Sequence, residues 1–324
     1  MAREVYAFRN NMQNLQRATS GGAFMALADA FFRKCAGGKT HVYGVTYDQN
    51  LNVRYEMADM LEDCNKFSGS KYVRSDFSGI FEKIKDDLNK NIHVLFTGIP
   101  CHIAALQKFL SRYNINQENL VCIDLICHGT PQPIYWEVYR EWLQKKYKSS
   151  LIDFKFRTHG EGTSSYNCLA VFKNGKKYTN IPETQIYNRM FLRHYLFPEG
   201  CFKCKFANLD RKGDITIGDF WGIEKVMPDY PYARDVSEIL VNSPKGKQLV
   251  NILINIAHSQ GYCIELCCNE EYVKYQNNLQ QPAKKPKDYN MFQKDFKDKG
   301  ICFVAAKYVG YNWMHRMKYF LLRR

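Results

Sequence analysis

His93-Val-Leu-Phe-Thr97-Gly98-Ile-Pro-Cys101 and Leu120-Val-Cys-Ile-Asp-Leu-Ile-Cys127-His-Gly-Thr-Pro131 are two apolar runs, each ending in a turn rich in glycine or proline. Between them His102 to Leu110 reads as a helix. Two buried-type strands joined by a helix form a βαβ unit, whose strands are parallel and whose crossover is right-handed. Parallel strands present their carboxyl ends on one edge, where ligands bind in α/β sheets. Cys101 follows the first strand and Cys127 closes the second, so both belong to that edge.

Toward the N-terminus, Thr19-Ser20-Gly21-Gly22 reads as a cap for an apolar helix from Ala23 to Cys35, ended by Gly37-Gly38. Residues 42–47 and 53–58 read as strands around a turn, and residues 78–90 as a helix. Toward the C-terminus, Pro131 to Pro133 introduces an amphipathic helix over 134–143. A β-rich region follows, with strands at 152–156, 169–172 and 177–179 around the Asn174-Gly175 turn. An aromatic helix is expected over 186–196, a strand at 238–242 and a helix from about Gly246. Residues 280–289 read as a polar linker rich in lysine and proline, followed by a basic, helix-like tail. The fold class expected is a mixed α/β protein: a parallel βαβ core, an additional β-rich region and a helical C-terminal tail.

The chain has 324 residues, of which 45% are hydrophobic and 15% aromatic, and it carries 12 cysteines. That suits a globular protein with a large core. The N-terminus has no basic flank followed by an apolar stretch, so export is not expected and a cytoplasmic location is. No run of about 18 apolar residues is present to span a bilayer. In a reducing compartment, clustered cysteines favour metal binding or redox chemistry over structural disulfides. The formal charge of +14 is concentrated toward the C-terminus, in Ala283-Lys-Lys-Pro-Lys-Asp288 and in the final Met314 to Arg324. Such clusters suit a solvated face, an acidic electron-transfer partner or peripheral contact with an anionic membrane. No zinc-finger spacing or RNP-type motif points to specific nucleic-acid binding.

Cys201-Phe-Lys-Cys204 is the third chemistry-bearing piece. Both thiolates of such a pair reach one metal, or the pair cycles through a disulfide. With Cys101 and Cys127 also in turns, shared ligation is the stronger reading. Structural zinc usually takes paired knuckles from one small substructure, whereas an iron–sulfur cluster tolerates dispersed ligands. Cys101 opens a helix, where the dipole and free N–H groups stabilise a thiolate. Cys122 alternates with core residues and reads as packing. Ser20-Gly21-Gly22 at a helix start is a candidate phosphate cradle. Gly69-Ser-Lys71-Tyr72 adds a cation and a ring, and Gly218-Asp219-Phe-Trp-Gly222 a carboxylate between glycines. Beside the cysteines, these loops suggest a dinucleotide cofactor.

The same residues carry a family likeness. Ser20-Gly-Gly22, Gly69-Ser-Lys-Tyr72, Thr97-Gly-Ile-Pro-Cys101, Cys127-His-Gly-Thr-Pro131, Phe156-Arg157, Cys201-x-x-Cys204, Gly213 to Gly222 and Val241-Asn-Ser-Pro-Lys-Gly246 occur in the order seen in the beta subunits of coenzyme F420 hydrogenases and dehydrogenases. The chain resembles that family over about residues 5–255, and is most similar to bacterial homologues encoded with polysaccharide-biosynthesis genes. The resemblance implies an FAD-binding protein that passes electrons between a [4Fe–4S] cluster and the flavin, and on to a small-molecule acceptor. It implies cluster ligation by Cys101, Cys127, Cys201 and Cys204, and flavin contacts from Ser20, Gly21, Gly22, Lys71, Thr97, Gly98 and His128. It divides the chain into an N-terminal flavin-binding region (1–90), an iron–sulfur/flavin domain (91–260) and a basic linker with a helical tail (261–324).

Two departures bear on the expectation. Longer members begin with a ferredoxin-like module, and this chain starts where that module would end, which implies a separate ferredoxin-like electron donor. The usual Thr-Pro-Cys-Gln is Ile99-Pro-Cys-His102 here, and altered neighbours tune a cluster's potential. The reading of another class is a non-catalytic, zinc-stabilised accessory protein of polysaccharide assembly.

Overall fold

The strands are β1 (Val5–Arg9), β2 (Thr40–Tyr47), β3 (Val53–Ala58), β4 (His93–Gly98), β5 (Leu120–Leu125), β6 (Leu151–Lys155), β7 (Leu169–Phe172), β8 (Lys177–Thr179), β9 (Ile215–Asp219), β10 (Ser237–Val241) and β11 (Cys263–Leu266). The helices are α1 (Met12–Leu15), α2 (Ala23–Lys34), α3 (Ile80–Asn89), α4 (Pro100–Arg112), α5 (Pro133–Tyr147), α6 (Pro182–Leu192), α7 (Ile223–Val226), α8 (Pro244–Gln260), α9 (Tyr272–Tyr275) and α10 (Tyr289–Val309). The structure is a computed structural model that describes residues 3–158 and 167–311. The closing basic stretch expected over 314–324 lies outside the described residues.

Eight strands form one sheet in the order β11-β1-β10-β9-β5-β4-β2-β3. The central strands β2, β4, β5 and β9 run parallel; β3 and β10 pair antiparallel on either side of them, and β1 and β11 continue beyond β10 in alternating directions. The expected β4-α4-β5 unit is therefore the middle of a mixed sheet. Successive residues of a strand face opposite sides, and each side is covered. Val42, Leu95 and Val121 pack with α2 and α8, whereas Tyr43, Phe96 and Cys122 pack with α3 and α4. Cys122 is core, as its alternation indicated.

The β-rich region is a separate sheet, β6-β7-β8, which packs with α5, α6 and α10 around Trp136, Phe154, Phe156 and Tyr187. The tail helix is thus partly core: Phe292, Val304 and Ala305 are fully buried, and the helix kinks at Gly300.

Four long helices begin with proline at the first position (Pro100, Pro133, Pro182 and Pro244), where no N–H is needed. This shifts two expected boundaries. The α4 helix already includes Cys101, and α6 starts at Pro182 and ends by His194, whose φ is 63°. The expected cap of α2 also differs: Gly22 occupies the N-cap with no side-chain bond, and the Ser20 hydroxyl turns to Ser237 Oγ at 3.1 Å.

Candidate functional site

Because β4, β5 and β9 are parallel, Gly98, Leu125 and Asp219 end on one edge, joined there by Ser237 at the start of antiparallel β10. A cavity of about 790 Å³ opens along this edge. Of the expected flavin contacts, Ser20, Gly22, Lys71, Thr97, Gly98 and His128 line it. Gly21 does not; a Cβ there would lie 2.2 Å from the Phe8 carbonyl oxygen and 2.3 Å from Ser237 N, so its role is to let this loop reach the sheet backbone.

Lys71 donates to the carbonyls of Phe67, Ser68 and Gly69 at 3.0–3.4 Å. Burial lowers its pKa to about 8, opposed by the carboxylate of Asp153. Among the described residues, the Thr97 hydroxyl is buried and has no hydrogen-bond partner. A buried polar atom without a partner carries a desolvation cost that a bound group would relieve. Arg157, two residues beyond β6, pairs with Asp219 of β9 at 2.7 Å and ties the segment after the small sheet to the large one at the cavity. Tyr72 and Phe191 stack at 4.2 Å on its wall. His128 packs on Phe191, and its Nε2 meets His194 Nε2 at 2.8 Å. Burial, then the neighbouring His194, lowers the His128 pKa to about 4. Gln276 bridges the Asp219 carbonyl and the buried Glu238 carboxyl, which burial raises to about 8.

The four turn cysteines converge beside this cavity, and Cys127 lines it. Burial pushes the Cys101 thiol up to about 11, with Cys204 and Cys201 adding to the shift, and Cys127 up to about 12, with Cys101, Cys201 and Cys204 adding to it. Cys201 is raised by burial and, less strongly, by Cys204. All four are free and partly exposed. Opposing their protonation are backbone N–H groups: Gly129 toward Cys127, Thr130 toward Cys201 and, for Cys101, its own N–H in the first turn of α4. Arg74 supplies the nearby positive charge to Cys101 and Cys201, and its Nε is buried without a partner among the described residues. Among those residues, no group of three or more His, Cys, Asp or Glu is placed to hold one metal ion. A cluster binds its thiolates through separate irons and so asks for a wider spacing than a single tetrahedral ion.

Two contacts fold the Cys201–Cys204 loop back onto β5. Gly129 lies against Phe197, and Arg211 inserts beneath the loop. Arg211 donates to the carbonyls of Phe206, Asn208 and Leu125 and pairs with fully buried Asp124 at 3.2 Å. Asp124 also accepts from the backbone N–H of Lys212 and Gly213. Arg74, Asp124, Arg211 and Gln276 were not legible as site residues, because an isolated polar residue carries no local pattern. His102, in place of the family's Gln, bonds Tyr55 Oη through Nδ1 at 3.1 Å, and burial lowers its pKa to about 4.

Mixed-sheet α/β architecture, an edge cavity and a thiol quartet beside it define the class of protein this is. Residues 92–273 match the model of the C terminus of the coenzyme F420 hydrogenase/dehydrogenase beta subunit, and the chain belongs to that family. No curated protein matches the sequence significantly. Among solved structures, a chain of the xenon-derivatised F420-reducing [NiFe] hydrogenase complex from Methanosarcina barkeri is similar in fold, with a TM-score of 0.53 at 16% identity, covering 90% of this chain and 92% of that one. Among the described residues, no helix is long and apolar enough to cross a membrane.

Proposed function

We propose that this protein is an FAD- and [4Fe–4S]-dependent oxidoreductase that takes electrons from a separate carrier and passes them to a small-molecule acceptor. One observation carries the reading: Cys127 belongs to both halves of the site, lining the cavity while sharing electrostatic contact with Cys101, Cys201 and Cys204. A cluster held by that quartet would lie directly against whatever fills the cavity.

The residues present fit both groups. Four thiols, three of them supplied with backbone N–H donors and two with the nearby cation of Arg74, suit an anionic cluster. The buried ammonium of Lys71, the unpartnered Thr97 hydroxyl and the loop at Ser20–Gly22 suit an anionic, hydrogen-bonding cofactor. When bound, flavin supplies the conversion between single electrons and a two-electron or hydride step. The chain's part is to hold and orient: Arg157 and Asp219 fix the far wall, and Tyr72 with Phe191 forms an apolar surface against water. Trp221, half exposed at the cavity lining, marks where an acceptor would enter. Surface-polysaccharide biosynthesis is the setting that the sequence resemblance implies, and the hydrogenase assembly of the structural neighbour supports a protein donor.

Anaerobic purification and reconstitution test the proposal. Acid-labile sulfide, iron and a retained flavin are expected. One zinc and no iron would replace the proposal with the accessory-protein reading.

A further inference from the structure

The surface outside the thiol quartet has a charge the site itself does not explain. Lys203 lies between Cys201 and Cys204, Lys205 follows directly, and both are exposed without an acidic partner among the described residues. The segment carrying Lys284 and Lys287 is held against the same loop. Lys285 pairs with Glu199 at 2.6 Å, and the Phe202 ring meets Tyr289 at 5.1 Å. Lys284 and Lys287 are likewise exposed and unpaired among the described residues. Nearby acids are already engaged: Glu199 by Lys285, Asp210 by Lys212, and Asp288 by the Tyr195 hydroxyl. Four ammonium groups without an acidic partner among the described residues therefore lie on the two segments that meet at the Cys201–Cys204 loop.

Like-charged groups repel, and leaving four of them unpaired around one spot is unfavourable for the chain alone. A complementary acidic surface would relieve that repulsion, speed encounter and orient the partner. We infer that the Lys203/Lys205/Lys284/Lys287 face is the docking surface for a small acidic protein that carries electrons to the quartet. This rests on the proposed function in naming the partner an electron carrier; the surface itself stands on charge and exposure.

The test uses the whole reconstituted protein and, as probe, an oxidised plant-type [2Fe–2S] ferredoxin, with binding measured by calorimetry. Binding is expected at low salt, and it should fade as ionic strength rises from about 0.01 M to about 1 M, where the screening length falls from about 30 Å to about 3 Å. Lys203→Glu/Lys205→Glu should weaken it about tenfold or more. Lys284→Glu/Lys287→Glu should do the same, which guards against a local folding defect next to the cysteines. Lys34→Glu/Lys39→Glu, at the opposite edge of the sheet beside the start of β2, should bind as the unmodified protein does. Absence of binding at low salt, equal loss in all three variants, or a patch-dependent preference for DNA or phosphatidylserine vesicles over ferredoxin would overturn the proposal. Iron and flavin are assayed on the same samples. Their absence would count against the oxidoreductase reading, whereas the binding readout needs no electron transfer and judges the docking surface by itself.

Discussion

Gly129 stands so close to Phe197 that a Cβ on it would lie 2.4 Å from the ring, and its φ of 133° is a conformation that side chains disfavour. This one approach joins the turn after Cys127 to the segment before Cys201. Gly129→Ala should therefore cost about 1–3 kcal/mol of stability and reduce iron retention, read by denaturant titration and iron analysis. Gly175→Ala is the control: its φ is 82°, but nothing lies within 4 Å of the added carbon. It should show a smaller stability loss and normal iron.

The Asp124–Arg211 pair makes a second prediction. Arg211→Met would leave a buried carboxylate without its cation, a change that typically costs about 3–5 kcal/mol. Adding Asp124→Asn should recover part of the loss, because the amide oxygen still accepts from the Lys212 and Gly213 N–H groups. Equal denaturation midpoints for the single and double variants would contradict this role.

Lys71 gives the cavity a pH dependence. Its pKa is lowered to about 8 in the folded protein, from 10.5, so its contribution to stability is present above about 10.5 and is lost as pH falls through about 8. An anionic ligand needs the charged form. FAD affinity, followed by flavin fluorescence, should thus fall as pH rises through about 8, and Lys71→Met should weaken it about tenfold at neutral pH and abolish that pH dependence. The same variant should make the cofactor-free protein more stable at pH 7, because no ammonium is then buried.

Glu238 behaves in the opposite sense. Burial raises its pKa to about 8 from 4.5, so its stabilising protonated form is fully effective below about 4.5 and is lost as pH rises through about 8. Glu238→Gln should match the unmodified protein near pH 4.5 and be more stable by about 2–4 kcal/mol at pH 9. Thermal melts of the two proteins across this range check it.

The centre of the fold was legible because β4 and β5 are apolar runs bounded by glycine and proline, signals that act within a few residues. The neighbouring strands β1 and β11 escaped, being only five and four residues long and paired with partners more than 200 residues away. The start of α6 at Pro182 carries a weaker local signal than the aromatic run over 187–195 that follows it. Six of the seven residues expected to contact flavin line one cavity, because most of the motifs holding them end strands or open helices on one edge. What binds the site together, Arg211 beneath the loop and Gly129 against Phe197, is contact between distant segments and leaves no periodic trace.

The proposed function requires that one quartet of thiols hold a cluster against the cavity. Iron and sulfide per chain, measured after anaerobic reconstitution of the unmodified protein, Cys127→Ser and Cys122→Ala, test it most directly. About four of each are expected in the unmodified protein and in Cys122→Ala, and loss of both in Cys127→Ser. Iron content indifferent to Cys127, or zinc alone in all three, would contradict it.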